Sequence, residues 1–173
     1  MRLRLLALCG ALLLGFMPAS SGSAQSGERR YENPVHHWVI AYPAGWAVDS
    51  QNVGFVQITP PDSLAKGVFG IHTGAVRVAT ADVLVDAVVK AQEASGAGLR
   101  ILKRRVVHLA DSVRAIELET ELGIGVVGRS RRLFVVRNGI AYVIAAETYR
   151  DSWPAVEAHY ARMIESFRLP PSP

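Results

Sequence analysis

The sequence predicts an α+β fold in which two helices pack on a twisted antiparallel β-sheet of about seven strands. Segments rich in β-forming residues fill most of the chain, and only two stretches have the periodicity of an amphipathic helix. The hairpin predicted around Asn138-Gly139 is apolar on both faces, whereas a sheet with one solvated face alternates cleanly. Each face of the sheet must therefore be covered, and the two helices are the candidates. The predicted order is β-β-β-α-β-β-β-β-α.

The first 24 residues have the three parts of a secretory signal peptide. Met1–Arg4 is short and basic, Leu5–Met17 is an apolar run of 13 residues, and small, turn-forming residues follow up to Ala24. A helix of that length reaches about 20 Å, less than the hydrocarbon core of about 30 Å, so no stable membrane span is expected after cleavage. Cleavage after Ala24 predicts an exported protein, periplasmic or secreted.

The charge of the chain does not indicate a nucleic-acid partner. Its 19 Lys and Arg residues include Arg2 and Arg4 of the signal peptide, which leaves 17 against 15 Asp and Glu. The excess lies in Lys103–Arg105 and Arg129–Arg132, within predicted strands, and aromatic side chains do not interleave with it. Cys9, the sole cysteine, lies in the signal peptide, so the mature chain can form no disulfide.

The first half of the mature chain predicts three strands and a helix. Residues 25–30 are polar and are expected to be loose. Pro43-Ala44-Gly45 is typical of a turn, and Thr80 is placed to cap a helix that continues to Glu93. The predicted strands are 35–42, 53–59 and 68–79. The predicted core stripe of the helix is Leu84, Val88 and Ala91.

The second half predicts four strands at 99–109, 112–122, 126–137 and after Gly139. Asn138-Gly139 favours a two-residue type I′ turn because both residues accept positive φ. Such a turn places four pairs opposite each other: Arg137 and Ile140, Val135 and Tyr142, Phe134 and Val143, and Leu133 and Ile144. A three-residue turn at 123–125 would place Glu119 opposite Arg129 and Glu117 opposite Arg131, on a face expected to be solvated.

The last helix, predicted over 151–169, carries one apolar stripe. Its members are Trp153, Val156, Tyr160, Met163, Ile164 and Phe167. Asp151 or Ser152 is expected to cap the helix, and Pro154 is tolerated in the first turn. Glu157, Arg162, Glu165 and Arg168 occupy the opposite, solvated side.

These motifs together resemble the PsbP-like fold family. The resemblance rests on Tyr42-Pro43-Ala44-Gly45-Trp46 after an early strand, the helix after three strands, the strand meander, and the closing Ser166-Phe167-Arg168-Leu169. The family includes the extrinsic PsbP subunit of photosystem II, a Ran-binding eukaryotic protein and many exported bacterial domains. It implies a single α+β domain over residues 31–169 and a non-catalytic role. No metal-binding residue of the photosystem subunit matches, so none is carried over.

Individual residues give little support for catalysis. His36-His37 would point to opposite faces of a strand, and His72, His108 and His159 are isolated in sequence. Glu117, Glu119 and Glu121 share one strand face but lack a second carboxylate cluster. The GxGxxG string at 123–128 lies between strands and does not lead into a helix. No catalytic residue, cofactor or metal site is therefore predicted.

Three functions stay open. The favoured one is an exported, non-catalytic domain that binds an extracytoplasmic protein partner or stabilises an assembly. The second is a small-ligand carrier with a pocket between sheet and helix, lined by Tyr142, Trp153 and Tyr160. The third is a hydrolase whose histidines and glutamates are brought together only by the fold. Arg129 and Arg131 either pair with the glutamates, which we favour, or dock an acidic partner.

Overall fold

The computed structural model describes residues 27–52, 54–62, 64, 66–110, 112–123 and 125–170, so the predicted signal peptide lies outside the described residues. The described residues form nine strands, two α-helices and one 3-10 turn at Arg150–Ser152. The strands are β1 Glu28–Glu32, β2 Val39–Pro43, β3 Ala47–Asn52, β4 Phe55–Thr59, β5 Gly67–Ala75, β6 Arg100–His108, β7 Arg114–Leu122, β8 Gly128–Arg137 and β9 Ile140–Tyr149. The helices are α1 Ala81–Ala94 and α2 Trp153–Ser166.

Seven strands form one antiparallel sheet in the order β3-β4-β5-β9-β8-β7-β6, and β1 and β2 form a separate two-stranded sheet. The last strand in sequence, β9, therefore lies in the middle of the large sheet. It joins the β3–β5 meander to the β6–β8 meander through antiparallel pairing on both sides. The predicted α+β class with a twisted antiparallel sheet is confirmed.

The hairpin between β8 and β9 is confirmed in turn and register. Asn138 and Gly139 have φ values of 52° and 73°, the left-handed region that a type I′ turn requires. All four predicted cross-strand pairs are observed. One face of this hairpin contributes Leu133 and Val135 to the core under α2, and the other contributes Phe134 to the core under α1.

The apolar stripe of α2 is confirmed. Its predicted members are all buried, and Phe167, which ends the helix, is completely inaccessible. The stripe packs in one core cluster with β2 and with the α2 side of β4, β5 and β9. Ser152 is the residue before the helix, but its side chain makes no capping hydrogen bond, so the predicted cap at Ser152 is wrong. The 3-10 turn at Arg150–Ser152 leads directly into the helix.

Helix α1 covers only part of the other face. Thr80 caps it as predicted, since its hydroxyl oxygen accepts from the Val83 amide at 3.4 Å. The buried residues are Ala81 and Val85, with Leu84 and Val88 half-buried beside them, whereas Ala91 is exposed. The helix packs mainly on β7 and β8. On β9 and β5 the helix reaches one end only, where Leu84 lines a cleft with His72, Ala141 and Val143.

The N-terminal region differs most from the sequence prediction. Residues 28–30, expected to be loose, belong to strand β1, which pairs with β2. Residues 35–38, expected in a strand, lie outside the strands. A turn at residues 34–36 precedes β2, and the Asn33 side-chain oxygen stabilises it by accepting from the amides of Val35 and His36 at 3.0 and 2.8 Å. Neither described helix is both long and apolar enough to cross a bilayer.

Candidate functional site

Three glutamates on β7 form a buried row on the α2 side of the sheet. Glu117 has only 3% of its side chain exposed, and Glu119 and Glu121 are mostly buried as well. The expectation of a solvated face is therefore wrong. Strand β7 lies between β6 and β8, and basic side chains from both neighbours fold over the carboxylates.

Glu117 is held by two guanidinium groups. Arg105 donates from Nε to Oε1 at 2.9 Å, and Arg131 donates from Nη2 to Oε2 at 2.7 Å. Burial by itself raises the pKa of Glu117, but the hydrogen bonds and charges of the two arginines outweigh it and leave that pKa below its usual value. The carboxylate is therefore ionised and fully engaged in the interior of the protein.

The predicted register between β7 and β8 is wrong, although the predicted ion pairs form. Glu119 lies opposite Arg131 and Glu121 opposite Arg129, because the loop at 123–127 is two residues longer than the expected turn. The contacts run diagonally: Arg131 reaches Glu117 at 2.7 Å, and Arg129 reaches Glu119 at 3.6 Å. Arg129 also lies 5.0 Å above the ring of Trp153.

Arg129 and Arg131 are consequently poor candidates for a docking surface, since only 26% and 17% of their side chains are exposed. Basic groups that solvent can reach lie one strand further out, on the edge strand β6. There Arg100, Lys103 and Arg105 point to the α2 side, and Arg100 is 73% exposed. We call these three residues the basic row.

The basic row carries uncompensated charge. Five cations, namely the basic row with Arg129 and Arg131, surround the three glutamates of β7. Two positive charges therefore remain after pairing. Beside them Ile101 and Val106 are among the exposed large apolar residues. The sequence showed the basic run, but it could not show which side chains stay accessible.

The aromatic residues proposed to line a ligand pocket lie in the core. Tyr142, Trp153 and Tyr160 are all buried, and the rings of Trp153 and Tyr160 are 5.9 Å apart. Burial raises the pKa of Tyr160 and of Tyr142. The residues lining the two clefts described below do not include them. Their role in ligand binding stays a prediction.

The histidines are dispersed over the described chain. His37 is in a loop with φ of 52° and lies 3.8 Å from exposed Glu32. His72 stacks on Phe55 with ring centroids 4.2 Å apart, and burial is the main reason its pKa is lowered. Within the described residues, no three His, Cys, Asp or Glu side chains are grouped to hold a metal ion.

Among the clefts that the described residues form, two bear on ligand binding. One, of about 450 Å³, lies on the side of the sheet that α1 leaves open, at the ends of β5, β8 and β9, and we call it the β9 cleft. Lys66, Val68, Arg132, Glu147 and Tyr149 are among its lining residues. The other, of about 370 Å³, separates the turn after β2 from α2 and is lined by Trp46 and His159.

The fold, an antiparallel sheet closed by a C-terminal helix, defines a class of small α+β domains. Comparison with solved structures identifies the class as PsbP-like. The chain is similar to the cyanobacterial PsbP of Synechocystis sp. PCC 6803, with a TM-score of 0.64 and 16% identity over 90% of this chain and 100% of that one. Protein PA94 of unknown function from Pseudomonas aeruginosa gives a TM-score of 0.59 and 19% identity over 84% and 98%.

A protein from Bacteroides thetaiotaomicron VPI-5482 matches with a TM-score of 0.55 and 14% identity, over 85% of this chain and 50% of that one. No protein-family model matches the sequence. No curated protein matches it either. The similarity is one of fold, at 14–19% sequence identity.

Proposed function

We propose that this protein is an exported, non-catalytic domain that binds an acidic protein partner along the outer edge of β6. The observation that carries the proposal is the combination, on one edge strand, of the basic row and the exposed side chains of Ile101 and Val106. Among the described strands, β6 has a neighbour in the large sheet on one side only, β7. An edge of this kind can accept an additional strand from a partner.

The charged and apolar side chains of the β6 edge favour an acidic partner over a second copy of this chain. A second copy pairing through β6 would bring basic rows together, and like charges on neighbouring strands destabilise pairing. An extended acidic segment would instead place carboxylates near the basic row on the α2 side and apolar side chains near Val106 on the α1 side. The two surplus positive charges make this arrangement electrostatically favourable.

Similarity of fold to non-enzymatic proteins such as PsbP is consistent with the non-catalytic part of the proposal. The hydrogen bonds of Glu117 also agree with a non-catalytic role, because a carboxylate that is bound by two arginines is not available as a general base.

Fluorescence anisotropy with a defined peptide tests the proposal. The probe alternates Glu with Val over eight residues, and control peptides carry Lys in place of Glu or the same residues in scrambled order. We expect saturable binding of the Glu-Val peptide alone, weakening as salt is added. If all three peptides bound equally, or none bound, the proposal that the β6 edge binds an acidic segment would be rejected.

Paired variants locate the binding. Arg100→Gln with Lys103→Gln removes two charges of the basic row and should weaken binding about tenfold, a loss of about 1.4 kcal/mol. The matched control, Arg77→Gln with Lys90→Gln, removes two exposed charges elsewhere and should change binding less than about twofold. A similar loss in both variants would mean that net charge, not the edge, attracts the peptide.

A further inference from the structure

We propose that the β9 cleft binds a small amphipathic anion, such as an aromatic or branched carboxylic acid. This site lies on the opposite face of the sheet from the basic row, so the inference goes beyond the proposed protein partner. Its volume of about 450 Å³ lies within the range of about 300–1,000 Å³ typical of small-molecule sites.

The polar part of the cleft is preorganised. Arg132 donates from Nη2 and Nε to the same oxygen of Glu147, at 2.6 and 2.9 Å. The guanidinium is thereby fixed, with 17% of the side chain exposed, while the second oxygen of Glu147 takes no part in this pair. The mouth is fixed as well, because the Thr148 hydroxyl donates to the carbonyl oxygen of Lys66 at 2.7 Å.

The charge of the cleft favours an anion. The cations among its lining residues are Lys66, Arg129 and Arg132, and the carboxylate is Glu147. The Arg129 guanidinium pairs with Glu119 on the α2 side of the sheet, so Lys66 and Arg132 face Glu147 alone and one positive charge is left. Lys66 is exposed and none of the ion pairs observed among the described residues involves it. A ligand carboxylate between Lys66 and Arg132 would gain charge-assisted hydrogen bonds from both.

The walls of the cleft favour an apolar body on that anion. Val68 and Leu122 are half-buried, and Tyr149 is one of the exposed large apolar residues. They are accessible because α1 packs mainly on β7 and β8, and no α1 residue lines this end of β9 and β5. An aromatic ring placed against Tyr149 would bury this surface, whereas an inorganic anion would leave it in water.

An NMR titration of the ¹⁵N-labelled protein tests the inference with three probes of similar shape: phenylacetate, neutral phenylacetamide and cationic phenethylamine. We expect phenylacetate to shift the amides of Val68, Glu147 and Tyr149 saturably in the millimolar range. Phenylacetamide should bind about tenfold more weakly, and phenethylamine should not bind. Equal affinity for phenylacetate and phenylacetamide, or shifts confined to other regions, would overturn the proposal, as would no saturable shift.

Variants separate the two parts of the site. Lys66→Gln should weaken phenylacetate binding about fivefold while phenylacetamide is unaffected, and Tyr149→Ala should weaken both probes. Lys90→Gln removes an exposed charge from α1 and serves as the matched control, with no expected effect. Unchanged phenylacetate binding in Lys66→Gln would reject the anion site. Because β6 contributes nothing to this cleft, failure here leaves the peptide result untouched.

Discussion

Glu117 shows how a single residue ties the strands of this sheet together. Its carboxylate accepts hydrogen bonds from Arg105 on one neighbouring strand and from Arg131 on the other. Removing one partner from a buried ion pair costs more than the pair contributes, because the remaining charge is left without a counter-ion in a poorly solvated place. Arg131, itself mostly buried, would lose its 2.7 Å partner and keep only the contact of 3.9 Å with Glu119.

We therefore expect Glu117→Gln to lower the free energy of unfolding by about 3 kcal/mol. Glu157→Gln, which changes an exposed carboxylate on α2, should stay within about 0.5 kcal/mol. Urea midpoints of the two variants measure the difference. A loss for Glu117→Gln as small as that of the control would show that the arginines are solvated when the carboxylate is removed.

The same residue predicts a pH dependence. The pKa of Glu117 is lower in the folded protein than in the unfolded chain, where it is about 4.3. Its stabilisation is therefore complete above that unfolded value and is lost as the pH falls through the folded one. Below about pH 4, stability should fall more steeply in the native protein than in Glu117→Gln. If stability fell equally steeply with pH in the two proteins, Glu117 would not be the source of this pH dependence.

The burial of these glutamates could not be predicted from sequence. Alternate charged residues on a strand are the pattern of a solvated face, and Glu117, Glu119 and Glu121 follow it. Their burial depends on long basic side chains from strands that are distant in sequence. The choice of partners was nonetheless predictable, since a shift in register of two residues leaves each side chain on the same face.

At the scale of the elements, prediction succeeded where local chemistry and apolar pattern agreed. The Asn138-Gly139 turn fixed the register of β8 and β9, and the stripe of α2 fixed its buried side. Strand β1 was missed because Glu28–Glu32 is polar and mostly exposed, so its pairing with β2 leaves no pattern in the sequence. The two helices also begin differently, because the Thr80 side chain caps α1 whereas the Ser152 side chain makes no capping hydrogen bond to α2.

This difference predicts unequal effects of one substitution. Thr80→Ala should lower stability by about 0.5–1 kcal/mol, because it leaves the Val83 amide without its acceptor. Ser152→Ala removes no capping bond and should change stability by less than about 0.5 kcal/mol. Thermal unfolding of the two variants side by side provides the measurement. Equal losses would mean that Ser152 caps its helix in solution.

At the scale of the whole molecule, the fold class followed from one argument: both faces of the central hairpin are apolar, and each needs a helix. The structure has that arrangement, with α2 on one face and α1 on the other. What the sequence could not reveal is that α1 covers only part of its face. The area that a helix shields depends on its crossing angle and position, which are set by tertiary packing.

The predicted signal peptide belongs to this scale as well. We expect the exported protein to begin near Gln25, as N-terminal sequencing of extracytoplasmic material would show. Ala24→Trp, which puts a large residue at the cleavage position, should leave the precursor uncleaved, whereas Gln25→Asn should be processed normally. An intact Met1 terminus in the membrane fraction of the unmodified protein would refute the prediction.

The central position of β9 also sets the order in which the molecule can be completed during synthesis. The β3–β5 and β6–β8 meanders are each contiguous in sequence, but β9, which joins them, leaves the ribosome after both. Helix α2 follows later still, so the main core cannot close until the chain is nearly finished. If the chain is exported unfolded, as its predicted signal peptide implies, this delay would keep it competent for translocation until its C-terminus has been made.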